Sequence, residues 1–108
     1  MFKLPYFAVI FTSELTQDTA GYQEMAERME ALAKQQPGYL GIHHARDTLG
    51  ITISYWQDEA AIAQWKTQIE HLEAQEKGKR QWYKHYNVQV CKVTRAYQGG
   101  KGDNKLHP

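Results

Sequence analysis

Tyr6-Phe7-Ala8-Val9-Ile10-Phe11-Thr12 is an unbroken apolar, aromatic and β-branched run, too short and too β-rich for a helix. A strand built from it is apolar on both faces, so it belongs in the middle of a sheet and leaves neither side suited to water. Downstream, Tyr22, Met25, Ala26, Met29, Leu32 and Ala33 recur at helical spacing, and Thr16, Asp18 and Thr19 offer oxygens to cap that helix. Glu24 with Arg28, and Glu30 with Lys34, stand in the favourable acid-first order on its polar side. Pro37-Gly38 ends it.

Two extended segments follow, Tyr39 to Arg46 and Ile51 to Trp56. Asp47-Thr48-Leu49-Gly50 joins them, and Gly50 is expected to supply a positive φ for a hairpin turn. Asp58 caps a second helix whose stripe of Ile62, Trp65, Ile69 and Leu72 runs on to Gly78, with Thr67-Gln68 a point where it can break. Tyr86 to Tyr97, marked by Val88, Val90 and Val93, forms a last strand. The order strand, helix, strand, strand, helix, strand predicts an α+β, ferredoxin-like split βαβ fold, with an antiparallel sheet and both helices on one face. The uncovered face is apolar too, which calls for a second sheet stacked on it in a homodimer.

The chain has 108 residues, 42% hydrophobic and 23% charged, with a formal charge of +1. One domain over residues 1–97 and a mobile polar tail over 98–108 are expected. So small a net charge supplies no field for nucleic acid or an anionic membrane. Cys91 is the lone cysteine, which favours a reducing compartment, and Met1-Phe2-Lys3-Leu4-Pro5 reads as neither a leader nor a span, so a cytoplasmic location is expected. Lys77-Gly78-Lys79-Arg80-Gln81-Trp82-Tyr83-Lys84-His85-Tyr86 mixes cations with aromatics in the way of single-strand binders. Glu70, Glu73 and Glu76 just upstream make a solvated helix end the better reading. His43 and His44 fall on opposite faces of a strand and cannot share a metal.

Gln36-Pro37-Gly38-Tyr39-Leu40-Gly41, then Ile53-Ser54-Tyr55-Trp56 running into Asp58-Glu59-Ala60-Ala61-Ile62 and Trp65, resembles the antibiotic-biosynthesis-monooxygenase family. The likeness continues through Glu70-His71, Ala74-Gln75, Gly78 and Trp82-Tyr83, and so spans Tyr6 to Tyr97. It implies a dimeric α/β barrel of paired sheets and a range of activities: cofactor-free oxygenases of aromatic polyketides, haem-degrading monooxygenases and proteins of undefined role. The resemblance places a pocket tryptophan at Trp65 and the proton-active side chain of the polyketide branch at His71. That branch's asparagine is Ala61 here. The haem branch has a histidine where this chain has Gln75, and an asparagine on the first strand where it has Val9 and Ile10, so haem is disfavoured and no cofactor is predicted.

Oxygenation without metal or flavin needs an electron-rich aromatic, an apolar pocket, a base, and donors for the developing anion. Trp65, Trp82, Tyr55 and Tyr83 are candidates for the pocket walls. His71 is the candidate base, because histidine changes charge near neutrality. Arg46 is a candidate to hold an anionic substrate, with Arg95 behind it. Each has a plainer alternative: Trp65 as core packing, His71 as a surface histidine, Arg46 as a solvated strand end, Cys91 as a small packed residue. The leading expectation is a monooxygenase-like dimer that binds a small aromatic molecule. Its rivals are a non-catalytic binding or stress-response module and a haem-binding protein.

Overall fold

The computed structural model describes residues 2–75 and 82–101, with the side chains of 72–75 left aside. Its elements are β1 (Tyr6–Leu15), α1 (Tyr22–Lys34), β2 (Tyr39–Arg46), β3 (Gly50–Trp56), α2 (Glu59–Gln75) and β4 (Tyr83–Val93). The sheet is antiparallel in the order β2-β3-β1-β4, so the apolar first strand is central and β4 is an edge. This is the expected α+β, ferredoxin-like arrangement.

Because side chains alternate along a strand, register assigns each residue to a face. The helix side carries Phe7, Val9, Phe11, Ser13 and Leu15 of β1, with Trp56, Ser54, Thr52 and Gly50 opposite them on β3. The other side carries Tyr6, Ala8, Ile10 and Thr12, opposite Tyr55, Ile53 and Ile51. There Phe2 lies edge-on to Tyr6, with ring centroids 5.1 Å apart, and 5.7 Å from Tyr55. That cover is partial: Ile51 stays exposed. Both sides of the central strands are apolar, as the run Tyr6–Thr12 requires.

Several local expectations are corrected. α1 is capped by Gly21 at φ 83, with no side-chain cap; the Asp18 carboxylate instead accepts from the Ala20 N–H at 3.5 Å, too early in the chain to reach the first helical turn. At α2 the expected cap holds, with the Ala61 N–H donating to the Asp58 carboxylate at 2.8 Å. α2 runs unbroken through Thr67-Gln68, because the Thr67 hydroxyl donates to the Ala63 carbonyl at 3.1 Å inside the helix. The hairpin turn is closed by the Asp47 N–H on the Leu49 carbonyl, 3.1 Å, and Gly50 has no positive φ. Gly50 is a strand residue whose lack of a side chain serves another purpose, described below. β4 starts at Tyr83, earlier than expected, because Leu15 and Glu14 extend β1 and pair with Tyr83 and His85. The cationic Lys77–Arg80 stretch, the expected helix stop at Gly78 and most of the tail lie outside the described residues.

Candidate functional site

On the helix side, two aromatic clusters divide the space under α1 and α2. In the first, Trp56 at the end of β3 stacks on Trp65 of α2, with centroids 5.8 Å apart and planes at 24°. Trp56 is fully buried and Trp65 is 9% exposed, with Ala33 and Ala61 beside them and Val9, Met29, Leu32, Tyr39, Ile62 and Ile69 around. The Trp56 indole N–H donates to the Ser54 hydroxyl at 2.8 Å, so this fully buried donor is satisfied within its own strand. Trp65 is thus packed among core side chains.

The second cluster lies at the other end of β1. Trp82 is buried against Met25, with Leu15 and Tyr22 alongside, and its indole N–H donates to the Ala20 carbonyl at 2.7 Å. Tyr22 stands edge-on to Trp82 at 5.8 Å and to Tyr83 at 6.0 Å. Phe11 meets Tyr83 at 5.7 Å and stacks on Tyr86 at 5.6 Å. From Tyr86 the helix-side face of β4 continues through Val88 and Val90, which pair with Phe11 and Val9. Tyr86, Val88 and Val90 are 60, 50 and 51% exposed, an apolar strip left open on an edge strand. The aromatic cluster therefore runs into an uncovered apolar strip, called the groove below, unlike the first.

Arg46 closes one end of this groove. Arg46, Gly50, Ser13 and Tyr86 form a single row across all four strands on the helix side. The guanidinium lies across Gly50, where a Cβ would collide with it, and reaches β1. There it donates to the Ser13 carbonyl at 3.2 Å and to the hydroxyl of the same fully buried Ser13. It also donates to the Tyr22 hydroxyl at 3.4 Å and sits 5.7 Å from the centre of that ring.

Of the six sequence candidates, the structure brings Arg46, Trp82 and Tyr83 together around Tyr22. Tyr55 is not with them. It follows the alternation of β3 onto the opposite side of the sheet from Trp56 and Trp65, where the His43 ring nitrogen is 3.2 Å from its hydroxyl. A single pocket walled by Tyr55, Trp65 and Trp82 is therefore corrected to three separate locations, the far side of the sheet and the two helix-side clusters. His71 is exposed on α2. His43 and His44 do part, His44 facing Glu30 of α1 at 3.5 Å. Val9 packs against the Trp56 core. The sequence reading missed Tyr22, Ser13, Gly50 and Tyr86. The one available signal was the aromatic density of Tyr83–Tyr86, because the row linking them spans strands far apart in the chain.

A four-stranded antiparallel sheet with two helices on one face defines the ferredoxin-like α+β class of fold. The antibiotic biosynthesis monooxygenase profile matches residues 14–77. A stretch of 93 residues, 84% of this chain and 82% of its relative, is 50% identical to the uncharacterized protein YqjZ of Bacillus subtilis. The chain belongs to the antibiotic biosynthesis monooxygenase family. It is also 31% identical over 51 residues to the jasmonate monooxygenase ABM of Pyricularia oryzae, covering 47% of this chain and 24% of that one. Among solved structures it is similar to SnoaB, a cofactor-independent oxygenase from Streptomyces nogalater, at a TM-score of 0.70 and 14% identity, covering 85% of this chain and 96% of that one. None of the described helices is long and apolar enough to cross a membrane.

Proposed function

We propose that this chain is a homodimeric, cofactor-independent monooxygenase of a small aromatic substrate. The observation that carries the reading is the open strip of Tyr86, Val88 and Val90 running out of the Phe11–Tyr83–Tyr22 cluster. An apolar surface of this kind, rimmed by a few polar groups, binds small aromatics by desolvation. Family membership and the two oxygenases it resembles support the reaction class. His71 takes a proton from the substrate, making its ring electron-rich enough to react directly with dioxygen. One oxygen atom enters the substrate as a carbonyl, and the other leaves as water with the two hydrogens lost from the oxidised carbon.

Oxygen uptake with a panel of hydroxylated polycyclic aromatics tests this. Turnover by the wild type is expected, with loss of at least about a hundredfold in His71→Ala, the scale of a general base. An unchanged rate in that variant removes His71 from the reaction. Absence of uptake across the panel favours the second reading, a non-catalytic binding module, which draws on Trp65 and Trp82 both being packed away from solvent.

The homodimer is supported by the open side of the sheet, where Ile10, Ile51, Ile53 and Tyr55 lie together with partial cover from Phe2. Two such sheets stacked face to face remove that surface from water. Sedimentation at micromolar concentration should report twice the mass of the single chain. One compact copy would refute the paired sheets while leaving the groove untouched.

A further inference from the structure

The guanidinium of Arg46 is bound by the Ser13 carbonyl, the Ser13 and Tyr22 hydroxyls and the Tyr22 ring. None of these carries a negative charge, and among the described residues no carboxylate pairs with it. Three of the five N–H donors of a guanidinium are engaged, which leaves two for a ligand. The side chain is also held in place: Gly50 leaves the space below it, Tyr22 covers it, and the buried Ser13 anchors its tip. A fixed cation without a counterion, set in the same row as Tyr86, is complementary to a ligand that is apolar along its body and anionic at one end.

We infer that the groove selects aromatic carboxylates, with the ring system over Tyr86, Val88 and Val90 and the carboxylate on Arg46. This rests on the strip being the substrate surface, and it narrows the substrate class from aromatics in general to aromatic acids. Guanidinium suits the task because its planar donors match a carboxylate, and a hydrogen bond to a charged group is worth more than a neutral one. The aromatic body adds stacking against Tyr86 and Phe11. Neutral aromatics of the same shape keep the second contribution and lose the first.

Calorimetric titration of 2-naphthoate against its neutral counterpart 2-naphthamide measures the selection directly. The wild type should bind the acid about tenfold more tightly than the amide, the factor that one charge-assisted pair at a half-exposed site supplies. Arg46→Gln should bring the two affinities together. Gly50→Ala should do the same although every charge is retained, because the added Cβ pushes the guanidinium off its seat. Arg46→Lys, which keeps charge without the planar fork, should restore part of the preference and confirms that the Gln variant fails for want of a cation rather than for want of a fold. Equal affinity for acid and amide in the wild type overturns the inference, as does an undiminished preference in Arg46→Gln. A selective wild type that consumes no oxygen leaves the inference standing and removes only the proposed reaction. Failure of both compounds to bind removes the groove itself.

Discussion

The Trp56–Trp65 cluster packs under both helices and the Trp82–Tyr22 cluster under α1, on the same face of one sheet, and they are closed differently. Around Trp56 the packing is apolar apart from the Ser54 hydroxyl, two residues back on its own strand, which accepts from the indole N–H. Around Trp82 the aromatic rings lead outward, from Tyr22 through Tyr83 and Phe11 to Tyr86 and the bare face of β4. The cause is position in the sheet. Trp56 sits on β3, an inner strand reached by α2, whereas β4 is an edge strand whose helix-side residues remain in solvent. Aromatic richness alone does not mark a binding site. The site proposed here is set apart by an aromatic cluster that continues into exposed apolar surface and by a cation with no carboxylate partner among the described residues.

The sharpest way to break the contrast is to remove a ring from the sealed cluster. Trp56→Ala opens a cavity at a fully buried position and leaves the Ser54 hydroxyl without its donor. A loss of about 4 kcal/mol is expected in denaturant unfolding followed by circular dichroism, a large share of the stability of a domain this size. A loss below about 1 kcal/mol would show that this cluster is not the core. At the other extreme, Val90→Thr keeps shape and replaces one exposed methyl by a hydroxyl. Stability should move by no more than about 0.5 kcal/mol. Naphthoate affinity should fall roughly threefold, the worth of one partly buried methyl group.

The elements that follow from local pattern were legible in the sequence. The central position of β1 is contained in Tyr6–Thr12, and the cap of α2 in Asp58. The cap of α1 was not legible in the same way. Oxygens at Thr16, Asp18 and Thr19 look like caps, but β1 continues to Leu15 and the helix starts only after Gly21 turns the chain in the left-handed region. The extension of β1 is fixed by pairing with β4 more than sixty residues later, information that no local window holds.

The site divides along the same line. Arg46, Trp82 and Tyr83 were recognisable as residue types suited to a pocket. Their assembly depends on the row Arg46–Gly50–Ser13–Tyr86, which exists only once three strand pairings are in register. Gly50 is the clearest case: read locally it is a turn glycine, and in the sheet it is the floor beneath a guanidinium. Trp65, taken from family resemblance as a pocket residue, is held in the core by its stacking on Trp56, a contact between the end of a strand and the middle of a helix.

Which tryptophan a ligand meets distinguishes the open cluster from the sealed one. The three indole N–H groups can be followed separately in a nitrogen–proton correlation spectrum of 15N-labelled protein titrated with 2-naphthoate. Trp82, whose N–H is held by the Ala20 carbonyl beside Tyr22, should shift progressively to saturation. Trp56 and Trp65 should hold their positions. Movement of Trp65 with Trp82 unmoved would place the ligand in the cluster described here as sealed, and would contradict the assignment of the groove.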